Sequence, residues 1–154
     1  MTAITGKSAE KDYLLGLGAK DILLRNEIEL FDNKPLLKPI FAGAIDTVGG
    51  VVLENIIKST KPIGVITYCG NAASAKLDLT VFPFILRGVS LMGIDSQNYP
   101  LSRRKKVWNK LASEWKPGSL MSTFVEINLE ELNNKISLML EGKLKGRTII
   151  KIGK

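Results

Sequence analysis

The chain of 154 residues contains no histidine and a single cysteine, Cys69. Without histidine it lacks the side chain that titrates nearest neutral pH, and with it the commonest general base and every His-containing metal site. One thiol builds neither a disulfide framework nor a structural zinc site, and it fits a reducing compartment. No Asp/Glu cluster suggests magnesium, so no metal ligand is expected. No apolar run approaches the length of a membrane span. Met1–Lys7 lacks the basic-then-apolar layout of a secretory leader, and a cytoplasmic location follows as an expectation. There is no internal repeat and no low-complexity segment.

What the chain has is positive charge, +7 in all, gathered at Arg103–Lys106 and at Lys143, Lys145, Arg147, Lys151 and Lys154. Such a balance suits an anionic partner, whether nucleic acid, membrane surface or small molecule. Aromatics make up only 6% and are not interleaved with the basic residues as a single-strand binder requires. Solvated faces and attraction for an anionic cofactor are therefore preferred, with neither nucleic acid nor a membrane as partner.

The organising stretch is Phe41–Ser96. Two apolar β segments, Ile40–Ile45 and Ile63–Tyr68, bracket a helix from about Gly49 to Ser59. A third, Val89–Ile94, follows a loop. Strand, helix, strand, loop, strand is the pattern of a parallel sheet with crossovers. Asp46-Thr47 and Cys69-Gly70-Asn71 fall where the first two strands end, which is where ligands bind in open α/β sheets. Before this stretch, Thr2–Thr5 and Asp21–Leu24 read as short strands around a helix capped by Ser8 and closed by Gly18. Glu27–Leu37, with Pro35, reads as connecting structure holding at most one turn of helix. After it, Gln97–Pro100 reads as a turn, and Ser102 caps a helix stopped by Pro117-Gly118. Val107, Trp108, Leu111, Ala112 and Trp115 share one face of that helix, so the two tryptophans are expected to pack. Phe124–Ile127 is a strand. Asn128 and Glu131 resemble a capping box for a helix ending at Gly142, and Arg147–Ile152 is the last strand.

Three places carry residues capable of chemistry. Thr5-Gly6-Lys7 follows the first strand, and Arg25 follows the next. A hydroxyl with basic residues at that point of a dinucleotide fold suits a 2′-phosphate, where an acid would suit a 2′-hydroxyl. A plain turn with solvated Lys7 and Arg25 is the alternative. Cys69-Gly70-Asn71 offers close backbone approach through glycine and a donor and acceptor on Asn71. Cys69 itself has no histidine to activate it and is expected to be an inert, packed thiol. Asp46 and Asp95-Ser96 also end strands, where lone carboxylates are more often turn formers than acids or bases. The G-x-G-x-x-G turn that should precede Thr2–Thr5 is not present.

Taken together, these residues resemble the carboxyl-terminal half of a medium-chain dehydrogenase/reductase, in the zinc-free quinone oxidoreductase branch that includes acrylyl-CoA reductases. The matching segments are T-G-K at 5–7, Y-L-x-x-L-G-A at 13–19, G-A-I-D-T-V-G at 43–49, P-F-I-L-R-G-V-S-L-x-G-I-D-S at 83–96 and G-R-T-I-I-K-I at 146–152. The resemblance covers essentially the whole chain. It implies NADPH as cofactor, hydride delivery to an activated C=C bond of an enoyl-CoA or quinone, and a 2′-phosphate held by Thr5, Gly6, Lys7 and Arg25. Family members usually carry Ser-Gly-Arg where this chain has Thr5-Gly6-Lys7, and lysine keeps the charge without the bidentate fork. It also implies that Asn71, Ile85 and Ser96 line the nicotinamide and its ribose. Gly142 matches a position that often carries Asn and offers only backbone contact. No catalytic residue is expected within the chain.

The expected fold class is α/β: an incomplete Rossmann-type parallel sheet lacking its first strand, plus the carboxyl-terminal helix and strand of a missing catalytic domain. Residues 1–100 would form the partial NADP-binding domain, and residues 101–154 would return toward the catalytic domain. In the strand order 3-2-1-4-5-6, loss of strand 1 leaves a 3-2 pair and a 4-5-6 group, each with an open edge. The gap would close by direct pairing, by exchange with another copy, or by displacement of residues 1–30, and a homo-oligomer is expected. The competing reading is a non-catalytic nucleotide-binding or assembly module. A weaker one is nucleic-acid binding through the helix around Arg103–Lys106.

Overall fold

The computed structural model describes residues 1–153. They divide into two compact units, the first Met1–Tyr99 and the second from Pro100 onward. Each is α/β with parallel strand pairing.

The first unit opens with β1 (Thr2–Thr5) parallel to β2 (Asp21–Leu24), joined through a 3-10 turn at Ser8–Glu10 and helix α1 (Lys11–Gly16). Gly18, at φ +99°, donates its N–H to the Leu15 carbonyl, and Ala19 donates to Leu14. These two bonds are the Schellman end that only a left-handed residue makes without strain, as the glycine suggested. Ser8 is not the cap. The Thr5 hydroxyl accepts the Lys7 N–H at 3.0 Å, the chain turns early, and Lys7 occupies the cap position. Helix α2 (Arg25–Glu29) follows β2 and supplies the turn of helix expected before Leu37. Its Ile28 is wholly buried.

β3 (Phe41–Asp46), α3 (Gly50–Lys58), β4 (Thr60–Tyr68), α4 (Phe82–Arg87) and β5 (Ser90–Gly93) complete this unit, with sheet order β3-β4-β5. α3 is rich in β-branched residues, which lower intrinsic helix propensity. It forms because Val52, Leu53, Ile56 and Ile57 make a stripe that is buried against Ile28, Ile66 and Val89. Each such side chain contributes about 1.5–3 kcal/mol on burial. In the sheet, Ala44, Ile66 and Leu91 are register neighbours and face this core. Gly43 lies opposite Val65, where a Cβ would come 2.6 Å from the Val65 carbonyl oxygen.

The segment before Val89, expected as loop, contains α4. Pro83 presets its first turn and Gly88, at φ +60°, closes it; six residues are too few to show a helical period. Arg87 then reaches back to the start of β4. It donates to the carbonyls of Leu37 at 2.6 Å, Lys58 at 2.9 Å and Thr60 at 3.2 Å.

The expected split into a strand pair and a three-strand group is present in the first unit, but the gap is closed neither by direct pairing nor by displacement of residues 1–30. β1-β2 and β3-β4-β5 are separate sheets, and β1 does not pair with β3. Residues 1–30 are nevertheless seated, since Ile4 and Leu23 pack against the α3 core. The alternating face of Ile45, Val65 and Met92 stays largely open, and Ile45 is 82% exposed.

In the second unit, α5 (Leu101–Ala112) is followed by β6 (Phe124–Ile127), α6 (Leu132–Leu140) and β7 (Arg147–Ile150), with β6 parallel to β7. Pro100, not Ser102, precedes α5 at the cap. The helix stops five residues before Pro117 because the Lys110 carbonyl takes the N–H of both Ser113 and Trp115. Lys110 Nζ then lies 4.6 Å from the Trp115 ring centre. The tryptophans do not pack as expected: Trp108 is 64% and Trp115 53% exposed, because the unit's own apolar surface is too small to cover them. Glu131 closes its half of the capping box, accepting the Asn128 N–H at 3.0 Å. No helix among the described residues is long and apolar enough to cross a membrane.

Arg87→Ala is expected to lower unfolding stability by about 2–3 kcal/mol, because a charged donor to three carbonyls is lost. Arg87→Lys should restore less than half, since an ammonium cannot span three acceptors set in a fork. Urea unfolding followed by far-UV circular dichroism measures both.

Candidate functional site

Parallel strands end on one side of their sheet, so the turns after β3, β4 and β5 converge. There they bound a cleft of about 590 Å³, lined by Gly49, Leu53, Tyr68, Cys69, Gly70, Asn71, Ser74, Ala75, Leu77, Gly93, Ile94 and Asp95. Tyr68 pairs with Gly93 in register, and the glycine leaves room for the ring. A Cβ at Gly93 would lie 3.5 Å from the Tyr68 hydroxyl.

The floor of the cleft is two interlocked turns. The Asp46 carboxylate accepts the N–H of Val48 at 3.0 Å and of Gly49 at 2.7 Å. The carbonyls of Asp46 and Val48 accept the N–H of Cys69 at 3.0 Å and of Ala73 at 2.8 Å, while Thr47 accepts Ala72 at 3.4 Å. Gly49 bridges to Ser74, and a Cβ on Gly49 would overlap the Ser74 carbonyl oxygen. Asp46 therefore acts as a turn former, as a lone strand-end carboxylate should.

Asp95 is the other turn former. It accepts N–H groups of Gln97 at 3.1 Å and Asn98 at 3.0 Å, and the Asn98 side chain at 2.9 Å. The Asn98 backbone and side-chain donors hold its carboxyl below the ordinary aspartate range. Cys69, also on the cleft, is exposed and not packed as the sequence suggested. The reason is that the chain leaves β4 at Tyr68, before the core closes over it.

The other predicted residues fall in two further places. β1 and β2 pair in register to Thr5 and Leu24, which brings Thr5-Gly6-Lys7 beside Arg25. The Arg25 guanidinium lies over Gly6, where a Cβ would meet Cζ at 3.4 Å. A hydroxyl, a glycine without side chain and a guanidinium thus share one corner, and Lys7 is the next residue along the chain. That donor set fits a phosphate monoester. Asn71 lines the cleft, and Ser96 follows its lining residue Asp95. Ile85 is not among the lining residues and stands 67% exposed on α4. Gly142 lies in the second unit, where φ +68° ends α6.

Tyr68, Ser74, Leu77, Gly93 and Ile94 also line the cleft and were not singled out from sequence. The register of strand ends was the available signal for Tyr68 and Gly93. Ser74 had none, because its place depends on the two turns meeting.

No family model matches the chain. Curated relatives do. It is 34% identical over 152 residues to the acrylyl-CoA reductase AcuI of Ruegeria pomeroyi, and 35% identical over 153 residues to YhfP of Bacillus subtilis, which carries the name of a quinone oxidoreductase. Each match covers 99% of this chain and 46% of the relative, so the chain spans about half their length. Among solved structures, the YhdH oxidoreductase of Salmonella enterica in complex with NADP superposes with a TM-score of 0.91 at 36% identity. That match covers 99% of this chain and 46% of that one. B. subtilis YhfP with NAD bound gives a TM-score of 0.89 at 36% identity, over 98% of this chain and 46% of that one. The resemblance read from the sequence is borne out. The matching portion is the carboxyl-terminal, NADP-binding part of medium-chain dehydrogenase/reductase enzymes.

A carboxyl pKa lowered in the folded state contributes stability above the ordinary aspartate range and loses it as pH falls through the lowered value. Asp95 should therefore titrate below 3.8 by carboxyl-carbon NMR. The 95–98 turn should loosen only under stronger acid. An Asn98→Ala substitution should move the midpoint upward.

Proposed function

We propose that this chain, a homologue of the carboxyl-terminal part of acrylyl-CoA reductases and quinone oxidoreductases of the medium-chain dehydrogenase/reductase superfamily, holds NADPH for reduction of an activated C=C bond. The observation that carries the reading is the corner formed by Thr5, Gly6, Lys7 and Arg25, with the guanidinium laid over the glycine. A 2′-phosphate placed there gives Lys7 and Arg25 an anion to bind, whereas the 2′-hydroxyl of NADH carries no charge for them to meet. Bound NADPH would supply a hydride. This chain's part is to bind and orient the coenzyme: the corner holds the adenosine end, and the cleft bounded by Asn71 receives the nicotinamide end. Ile85, Ser96 and the backbone of Gly142 are assigned to the same coenzyme.

The acceptor is an enoyl-CoA, such as acrylyl-CoA, or a quinone, and the groups that polarise it lie outside these 154 residues. On its own the chain binds NADPH weakly and does not turn over an acceptor. The uncovered face of Ile45, Val65 and Met92 and the unpaired edges of β1 and β3 favour association with another copy. A cytoplasmic location, with neither nucleic acid nor a membrane as partner, completes the proposal.

Nucleotide titration of the chain, read by NADPH fluorescence, tests the phosphate corner. Lys7→Ala and Arg25→Ala should each weaken NADPH about tenfold, or ~1.4 kcal/mol, and leave NADH affinity unchanged. An unaltered NADPH/NADH ratio in both variants would refute the assignment.

A further inference from the structure

Asp46 is 4% exposed, so coenzyme in the cleft does not touch it. Its effect on the cleft runs through backbone alone. One carboxylate oxygen, Oδ2, holds both the Val48 and Gly49 N–H groups. That fixes where the carbonyls of Thr47 and Val48 point, and those carbonyls hold Ala72 and Ala73. Cys69 is held by the Asp46 carbonyl itself. The loop after β4 is thus tied at 69, 72 and 73. Between the ties stand Gly70 and Asn71, whose backbone N–H groups have no acceptor among the described residues and which line the cleft. Gly70 is pressed so closely on the 46–50 turn that a Cβ would lie 2.5 Å from the Thr47 carbonyl oxygen.

We infer that Asp46 is a positioning residue: its carboxylate sets the 46–50 turn, and that turn presents Gly70 and Asn71 to the nicotinamide end of the coenzyme. The consequence for binding rests on the NADPH reading given above. The geometric part does not. Because a single oxygen accepts both N–H bonds, the amide oxygen of asparagine can replace it, and the function demanded of Asp46 is geometry rather than charge.

The test pairs amide hydrogen exchange with NADPH titration on the 154-residue chain. Asp46→Ala should speed exchange at Cys69, Ala72 and Ala73 by about tenfold or more, while the amides of Ile56 and Ile57 stay as slow as before. It should also weaken NADPH about fivefold or more. Asp46→Asn should restore both readouts to within about twofold of the parent, a rescue that a purely electrostatic role forbids. Unchanged exchange at Ala72 and Ala73 in Asp46→Ala, or an Asp46→Asn variant as impaired as Asp46→Ala, would overturn the inference. If the parent chain binds no NADPH, the coenzyme reading fails, and the exchange pattern alone decides the positioning role. Should Asp46→Ala not fold, Gly70→Ala must free the same three amides by forcing the turns apart with Asp46 in place. Protection retained there would equally sink the idea.

Discussion

The structure depends on the seating of three parallel strands on one buried helix. Ala44, Ile66 and Leu91 lie side by side across β3, β4 and β5, and all face the stripe of Val52, Leu53, Ile56 and Ile57. Parallel pairing forces those strands to finish on one edge. Once the register is set by burial, the turns after Asp46, Tyr68 and Gly93 have nowhere else to go. A one-residue slip would carry Ile66 into solvent and Thr67 into the core. The cleft is a consequence of that register, and its polar rim costs the core nothing because it begins where the apolar residues stop.

The same logic places the corner formed by Thr5, Gly6 and Arg25. β1 and β2 are short and half-buried, yet their pairing runs in register to Thr5 and Leu24. Two cations that are 18 positions apart in sequence, Lys7 and Arg25, are thereby brought to adjacent strand ends. By contrast, the first turn of α3 already has its anion in Asp46. The two strand-end regions differ in what they hold: basic side chains follow β1 and β2, and a turn-forming carboxylate ends β3.

Apolar surface left uncovered also follows from the sheet. A parallel sheet normally has both faces covered. Here one face meets α3, and the other presents Ile45, Val65 and Met92. The exposed Trp108 on α5 and Trp115 just beyond it show the same shortage of covering surface in the second unit. Both observations agree with a chain that matches just under half the length of its relatives.

Much of this was legible in the residues. Apolar runs marked the strands, Gly18 and Gly142 marked helix ends, and residues 5–7, 25 and 69–71 were readable as strand-end residues. These are local properties, carried by covalent geometry and side-chain type. α4 was not legible, because a six-residue apolar run has no room for a helical period and its ends were set by Pro83 and Gly88. Nor was the exposure of Cys69, Trp108 and Trp115, since burial depends on what else reaches the same spot. The sequence by itself determined the parallel α/β pattern and the chemistry available at the strand ends. Only the tertiary structure decided that Arg25 covers Gly6, that Asp46 ties one loop to another, and that Ile85 stands away from the cleft lining. Contacts between residues distant along the chain are settled by packing, which local sequence does not encode.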